Sequence, residues 1–207
     1  MTRFISAAIS VLLCARVFAD AAPNPMVMGP PAVPVLARAA FLHAMNPNVD
    51  LATALNYSLL YDEEAVAEGV NPDLAFAQML LETSFLKFGG QVKLGQNNFA
   101  GLGALDGGDQ GLVFTSPRLG IRAQIQHLKY YATTLPLNEV PINPRLAYVK
   151  RASATSAWQL GGTWATDPDY GNKLMDLMSR MVQYAGNTEG SARVPLSTLA
   201  PRLVSSN

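Results

Sequence analysis

Glu82 stands in LAFAQMLLETSF, residues 74–85, where nearly every neighbour is apolar. On helical geometry Gln78, Glu82 and Phe85 share one face, so the carboxyl would project from a rigid element beside an amide and an aromatic ring. An apolar setting disfavours the anion and lifts the pKa toward neutrality. An acid of that kind keeps its proton at working pH and can give it to a leaving oxygen. The same spacing also describes an amphipathic helix with one solvated Glu near its end, and spacing alone leaves both readings open.

Other chemistries find little material. One Cys and two His cannot build the clusters that structural zinc or a disulfide framework requires. No phosphate loop, serine nucleophile elbow or metal-binding helix motif occurs, and neither a metal nor an organic cofactor is expected. Fifteen Lys and Arg balance fifteen Asp and Glu, which leaves no overall positive field for nucleic acid. His127 in QIQHLKYY reads as a hydrogen-bonded helix histidine, and His43 as structural. Trp158 and Trp164 suit helix junctions or sugar stacking. Glu63 and Glu64 open a charged, solvated helix face.

The segment after Glu82, FLKFGGQVKLGQNNFAGLGA, brings in a family. With GVNPDLAFAQMLLETSF before it, GIRAQIQHLKYYA later and WATDPDYGNKL near the end, the chain resembles the bacterial glucosaminidases of glycoside hydrolase family 73 over about residues 61–184. The resemblance implies a lysozyme-like α domain cutting the β-1,4 bond on the reducing side of N-acetylglucosamine in peptidoglycan strands. It matches Glu82 to the catalytic acid and Tyr170 to an active-site tyrosine, whose hydroxyl can bond a substrate or carboxylate oxygen. It also matches Asn97, Asn98 and Phe99 to the family's NNF block, and these three with Gln78 are the residues expected to bind substrate. Paired amides can bond sugar hydroxyls or acetamido groups. The alternatives are a turn-closing Asn and a core Phe99.

The second catalytic group is not fixed by the sequence. Glycosidases commonly pair two carboxylates. Asp106 and Asp109 lie in a glycine-rich stretch where the family is expected to bring a second acid, but no Glu stands there, and either Asp also suits a turn. The substrate's own 2-acetamido oxygen offers a route without a protein nucleophile. A lytic transglycosylase on the same polymer and a noncatalytic wall-binding module remain the rival functions.

The elements that must position these residues are mostly helical. Residues 35–45 form one stretch closed by Asn46 and Pro47, and residues 50–68 another, with Gly69 placed as a C-terminal cap. Asn71 and Pro72 open a helix expected to run to about Lys87, with Gly89 and Gly90 supplying the backbone freedom to end it. Ser116–Pro117 and Asp167–Pro168 open two more, and a short one spans residues 156–161. Glycines at 101, 103, 107, 108 and 111, with Asp106-Gly107 as a turn signal, predict a small β-hairpin or glycine-rich lobe. The fold class is therefore mainly α, lysozyme-like, with one such lobe.

At 207 residues and 49% hydrophobic, the chain can bury one sizeable core over residues 35–186. Arg3, the apolar run from Phe4 to Ala15 and the small Ala19 and Ala21 predict an export signal over residues 1–21. Lipid anchoring at Cys14 is disfavoured because Leu13 precedes it where a small residue is usual. Residues 22–34, rich in Pro and Gly, predict an extended linker, and residues 187–207 a tail. A periplasmic or extracellular monomer without a transmembrane segment, acting on glycan strands, is the resulting expectation.

Overall fold

The computed structural model describes residues 22–90, 92–104 and 111–191. Among the described residues six α-helices follow in order: α1 Val35–Met45, α2 Leu51–Glu68, α3 Pro72–Glu82, α4 Pro117–Ala132, α5 Ala157–Leu160 and α6 Tyr170–Ser191. Among the described residues, β-structure is limited to isolated bridges, and no helix is long and apolar enough to cross a membrane. The export signal and Cys14 lie outside the described residues, as do Asp106 and Asp109. So does most of the expected tail, although α6 continues past residue 187 to Ser191.

α3 is the central helix, buried from Pro72 to Leu80 and packed against α1, α2, α4 and α6. Its start is dictated locally. Asn71 Oδ1 accepts from the backbone N–H of Asp73 at 3.0 Å and of Leu74 at 3.5 Å, and Pro72 follows where no N–H is needed. Asp50 caps α2 in the same way, and Gly69 ends it at φ 74°. Ser116 caps α4 through Leu119 N–H. α6 opens at Tyr170, three residues after Asp167, which accepts the N–H of Asp169 in an Asx turn.

Two expectations about the chain around these helices are corrected. Residues 24–33 are not a free linker: Val27 and Val33 are buried in the core. Val27 donates its N–H to Thr155 O and accepts from Asn71 N–H, while Asp73 Oδ2 accepts the N–H groups of Ala32 and Val33. Proline and glycine remove helical periodicity but not the ability to pack, and the Asn71 N–H and Nδ2 together with the Asp73 carboxylate at the start of α3 supply the missing partners. Glu64 is likewise not solvated. It is buried between Arg118 at 2.7 Å and Arg122 at 2.6 Å, joining α2 to α4. Burial alone would raise its pKa, but the two guanidinium groups hold it below the usual value.

The end of α3 is the other departure. The helix stops at Glu82, not near Lys87, and Ser84, Phe85 and Leu86 follow with φ of 50°, 61° and 60°. Three successive left-handed residues with side chains cost about 1–2 kcal/mol each. The surroundings impose them. Phe85 N–H donates to Leu80 O, and Leu86 N–H to Thr83 Oγ1. Asn46 Nδ2 holds Phe85 O at 2.8 Å, and the Phe85 ring leans on Phe41. Phe85 therefore leaves the helical face it was expected to share with Gln78 and Glu82.

Candidate active site

Ending α3 at Glu82 leaves its side chain at an open helix end, where no further turn covers it. Glu82 is exposed to a groove, and the protein packed against the rest of its carboxyl raises its pKa above the ordinary carboxylate value. The negative end of the α3 dipole acts in the same direction. Two donors oppose the rise: Tyr170 Oη donates to Glu82 Oε1 at 2.5 Å, and Trp164 Nε1 donates to the same oxygen at 3.2 Å. Among the described residues Oε2 has no such partner. It faces Gly101, whose φ is 65° and where a β-carbon would stand 3.6 Å from Oε2.

Tyr170 is 4% exposed, and burial together with the nearby Glu82 carboxyl pushes its hydroxyl well above the usual phenol pKa. It is thus a neutral donor over the working range. Beneath it, Gln78 is fully buried and donates Nε2–H to Tyr170 Oη at 3.0 Å. The structure brings Glu82, Tyr170 and Gln78 together, but it places Gln78 behind the tyrosine and not in the lining of the groove.

The other residues expected to bind substrate lie in the loop before Gly101, and none of them lines the groove beside Glu82. Asn98 is 1% exposed and spends its amide on the loop itself. Its Nδ2 donates to Leu102 O and Leu112 O, and its Oδ1 accepts from Leu102 and Ala100 N–H. Asn97, at φ 50°, donates to Phe114 O. Phe99 is buried with its ring edge-on to Tyr57 at 5.3 Å. These contacts, with Leu112 N–H to Leu102 O and Phe114 N–H to Gln96 O, make the described part of the expected β-hairpin or glycine-rich lobe a glycine-rich loop stitched through amide side chains. Gly120 lets this loop lie against α4: a β-carbon there would sit 1.7 Å from Asn97 O. Gly89 and Gly90 lie beyond the left-handed turn that ends α3.

Two hollows flank the carboxyl. One of about 270 Å³ is lined by Glu82, Ser84, Phe88, Val92, Gly101 and Ala104. The other, about 240 Å³, shares Gly101 and Ala104 and continues past Trp164, His127, Arg145 and Tyr148. Among the described residues Glu82 is the one carboxylate lining either. A larger hollow of about 570 Å³ lies between the end of α3 and α6, meets the first at Ser84 and does not include Glu82. No group of three or more His, Cys, Asp or Glu suited to a metal occurs among the described residues.

Trp164 is the neighbour of Glu82 whose use the sequence left undecided. Its indole packs against His127 and Tyr131 while its N–H reaches Glu82. The available signal was its place in WATDPDYGNKL, six residues before Tyr170. Trp158, in contrast, is half exposed on α5. His127 is buried and bonded through Nδ1 to Ala123 O, and desolvation lowers its pKa to about 4. His43 bonds to Val49 O.

A model of the Glucosaminidase family, described as mannosyl-glycoprotein endo-beta-N-acetylglucosaminidase, matches residues 58–183, which hold Glu82, Trp164 and Tyr170. An uncharacterized protein of Borreliella burgdorferi is 40% identical over 140 residues, covering 68% of this chain and 69% of its own. No solved structure matches the chain.

Proposed function

Because the chain belongs to the Glucosaminidase family, and is thereby a glycoside hydrolase, we propose that it is an exported endo-β-N-acetylglucosaminidase of peptidoglycan with Glu82 as general acid. It would cut the β-1,4 bond between N-acetylglucosamine and N-acetylmuramic acid. One observation carries the assignment of the acid: a carboxyl at the groove with one oxygen held by Tyr170 and Trp164 and the other facing Gly101.

In this reading the protonated Glu82 gives its proton to the glycosidic oxygen as the bond to the anomeric carbon breaks. The new carboxylate is then stabilised by Tyr170 and Trp164, whose hydrogen bonds strengthen as charge develops. Water adds to the anomeric carbon and returns a proton to Glu82. The positive charge at that carbon is met either by the substrate's 2-acetamido oxygen or by Asp106 or Asp109. Export rests on residues 1–21 and on a substrate that lies outside the cytoplasmic membrane.

The test is mass spectrometry of soluble fragments released from purified peptidoglycan, with borohydride reduction marking new ends. Reduced N-acetylglucosamine ends that vanish in Glu82→Gln are the expected result. Anhydro ends would establish a transglycosylase instead, and binding without release would establish a wall-binding module.

A further inference from the structure

Behind Glu82 the interior is one file of hydrogen bonds. Tyr61 Oη donates to Gln124 Oε1 at 2.6 Å, and Gln124 Nε2 donates to Gln78 Oε1 at 2.9 Å. Gln78 Nε2 donates to Tyr170 Oη at 3.0 Å, and Tyr170 Oη to Glu82 Oε1 at 2.5 Å. Tyr61, Gln124 and Gln78 are fully buried, so no water competes for these positions.

The direction of the file has an anchor. A carboxamide can in general be turned over, exchanging its donor and acceptor ends. Gln124 cannot, because its Nε2 also donates to the backbone carbonyl of Ala75 at 2.9 Å, and a carbonyl only accepts. With that end fixed, the second hydrogen of Nε2 falls on Gln78 Oε1, which turns Gln78 Nε2 toward Tyr170. Tyr170 Oη then receives an N–H on one side and directs its own proton to Glu82 Oε1. That oxygen also takes the Trp164 N–H. Two donors aimed at Oε1 leave it no place for a proton of its own.

We propose that Gln78 and Gln124 are positioning residues which, anchored on Ala75 O, hold the Tyr170 proton on Glu82 Oε1 and thereby make Oε2 the oxygen that carries and delivers the acid's proton. Oε2 is the oxygen facing Gly101 and the groove, so the interior file selects the productive tautomer of the acid. The proposal rests on the reading of Glu82 as the acid. The groups acting on the ionisation of Glu82 are burial, Tyr170 from α6 and Trp164 from the loop before it.

The experiment uses the purified protein and two readouts: titration of the Glu82 carboxyl carbon by NMR, and the pH dependence of kcat on purified peptidoglycan. Gln78→Met keeps the volume and removes the N–H that orients Tyr170. The Glu82 pKa is expected to rise by about half a pH unit or more, because a less well-directed hydroxyl stabilises the carboxylate less. kcat is expected to fall about tenfold, a loss comparable to one hydrogen bond to a charged group, with KM nearly unchanged. In a Tyr170→Phe background the same substitution is expected to change neither quantity further. Gln124→Met, which frees the Gln78 amide to turn over, should move both in the same direction by less, and it carries the test if Gln78→Met does not fold. An unchanged Glu82 pKa in either folded variant, or an effect that persists in the Tyr170→Phe background, would overturn the proposal. If the unmodified protein releases no fragments, the function fails while the titration still decides the file.

Discussion

The two oxygens of Glu82 look into different kinds of structure. Oε1 faces helices: Tyr170 at the start of α6, Gln78 on α3 and Gln124 on α4, each buried and bonded in sequence. Oε2 faces Gly101, part of a loop held by the amides of Asn97 and Asn98. In the proposed reading the helical side sets the charge state of the acid, and the loop side leaves room for substrate. A general acid needs both, because a carboxyl enclosed on all sides could not reach a glycosidic oxygen, and one open on all sides would ionise at neutral pH.

The widest separation between the two sides comes from the carboxyl itself. Glu82→Gln should lower kcat on peptidoglycan about a thousandfold, with a thermal midpoint close to that of the unmodified protein. Tyr170→Phe removes only the helical contribution and should lower kcat by about ten- to a hundredfold. The sign of its pH effect follows from the bond it loses. Tyr170 lowers the Glu82 pKa, so its loss raises that pKa, and the alkaline limb of the rate profile should move to higher pH. A limb that stays in place would show that Tyr170 does not act on the acid.

Legibility in the sequence divides along the same line. The starts of α2, α3 and α4 were readable because Asp50, Asn71 and Ser116 satisfy N–H groups two or three residues away. Helical spacing also put Gln78 beside Glu82. The left-handed turn at Ser84–Leu86 was not readable, since those residue types have no preference for positive φ and the forces that impose it come from Asn46 and Phe41, about forty residues earlier. The packing of residues 24–33 was hidden for the same reason: the acceptor for Ala32 and Val33 is Asp73. Asn98 shows a subtler limit. Its amide type was read as suited to sugars, but the nearest groups it could bond were those of its own loop.

His127 lies where the two sides meet, on α4 behind Trp164. Its pKa is lowered to about 4, by burial first and by the Arg145 charge to a lesser degree, against an ordinary value of 6.5. Above about pH 6.5 both folded and unfolded states hold it neutral, and its burial costs nothing in protonation. As pH falls from about 6.5 toward 4, the unfolded chain takes up a proton that the folded chain refuses, so stability falls by up to about 3 kcal/mol. Thermal midpoints measured between pH 7 and 4.5 should decline less steeply in His127→Gln than in the unmodified protein. Equal slopes would show that His127 titrates alike in both states.

Asn98→Ala gives the smallest effect and the sharpest contrast with Tyr170→Phe. It leaves the carbonyls of Leu102 and Leu112 and the N–H groups of Leu102 and Ala100 without the partner that joins them. Some of these groups can turn to water, so a loss of about 2 kcal/mol in unfolding free energy is expected. The loop strip over Oε2 would then lose its fixed distance from the acid, and kcat/KM should drop several-fold. Nothing in the change touches Tyr170, Trp164 or Gln78, so the alkaline limb should stay where it is. A shifted limb would mean that the loop also sets the ionisation of Glu82, and the division between an electrostatic side and a substrate side would not hold.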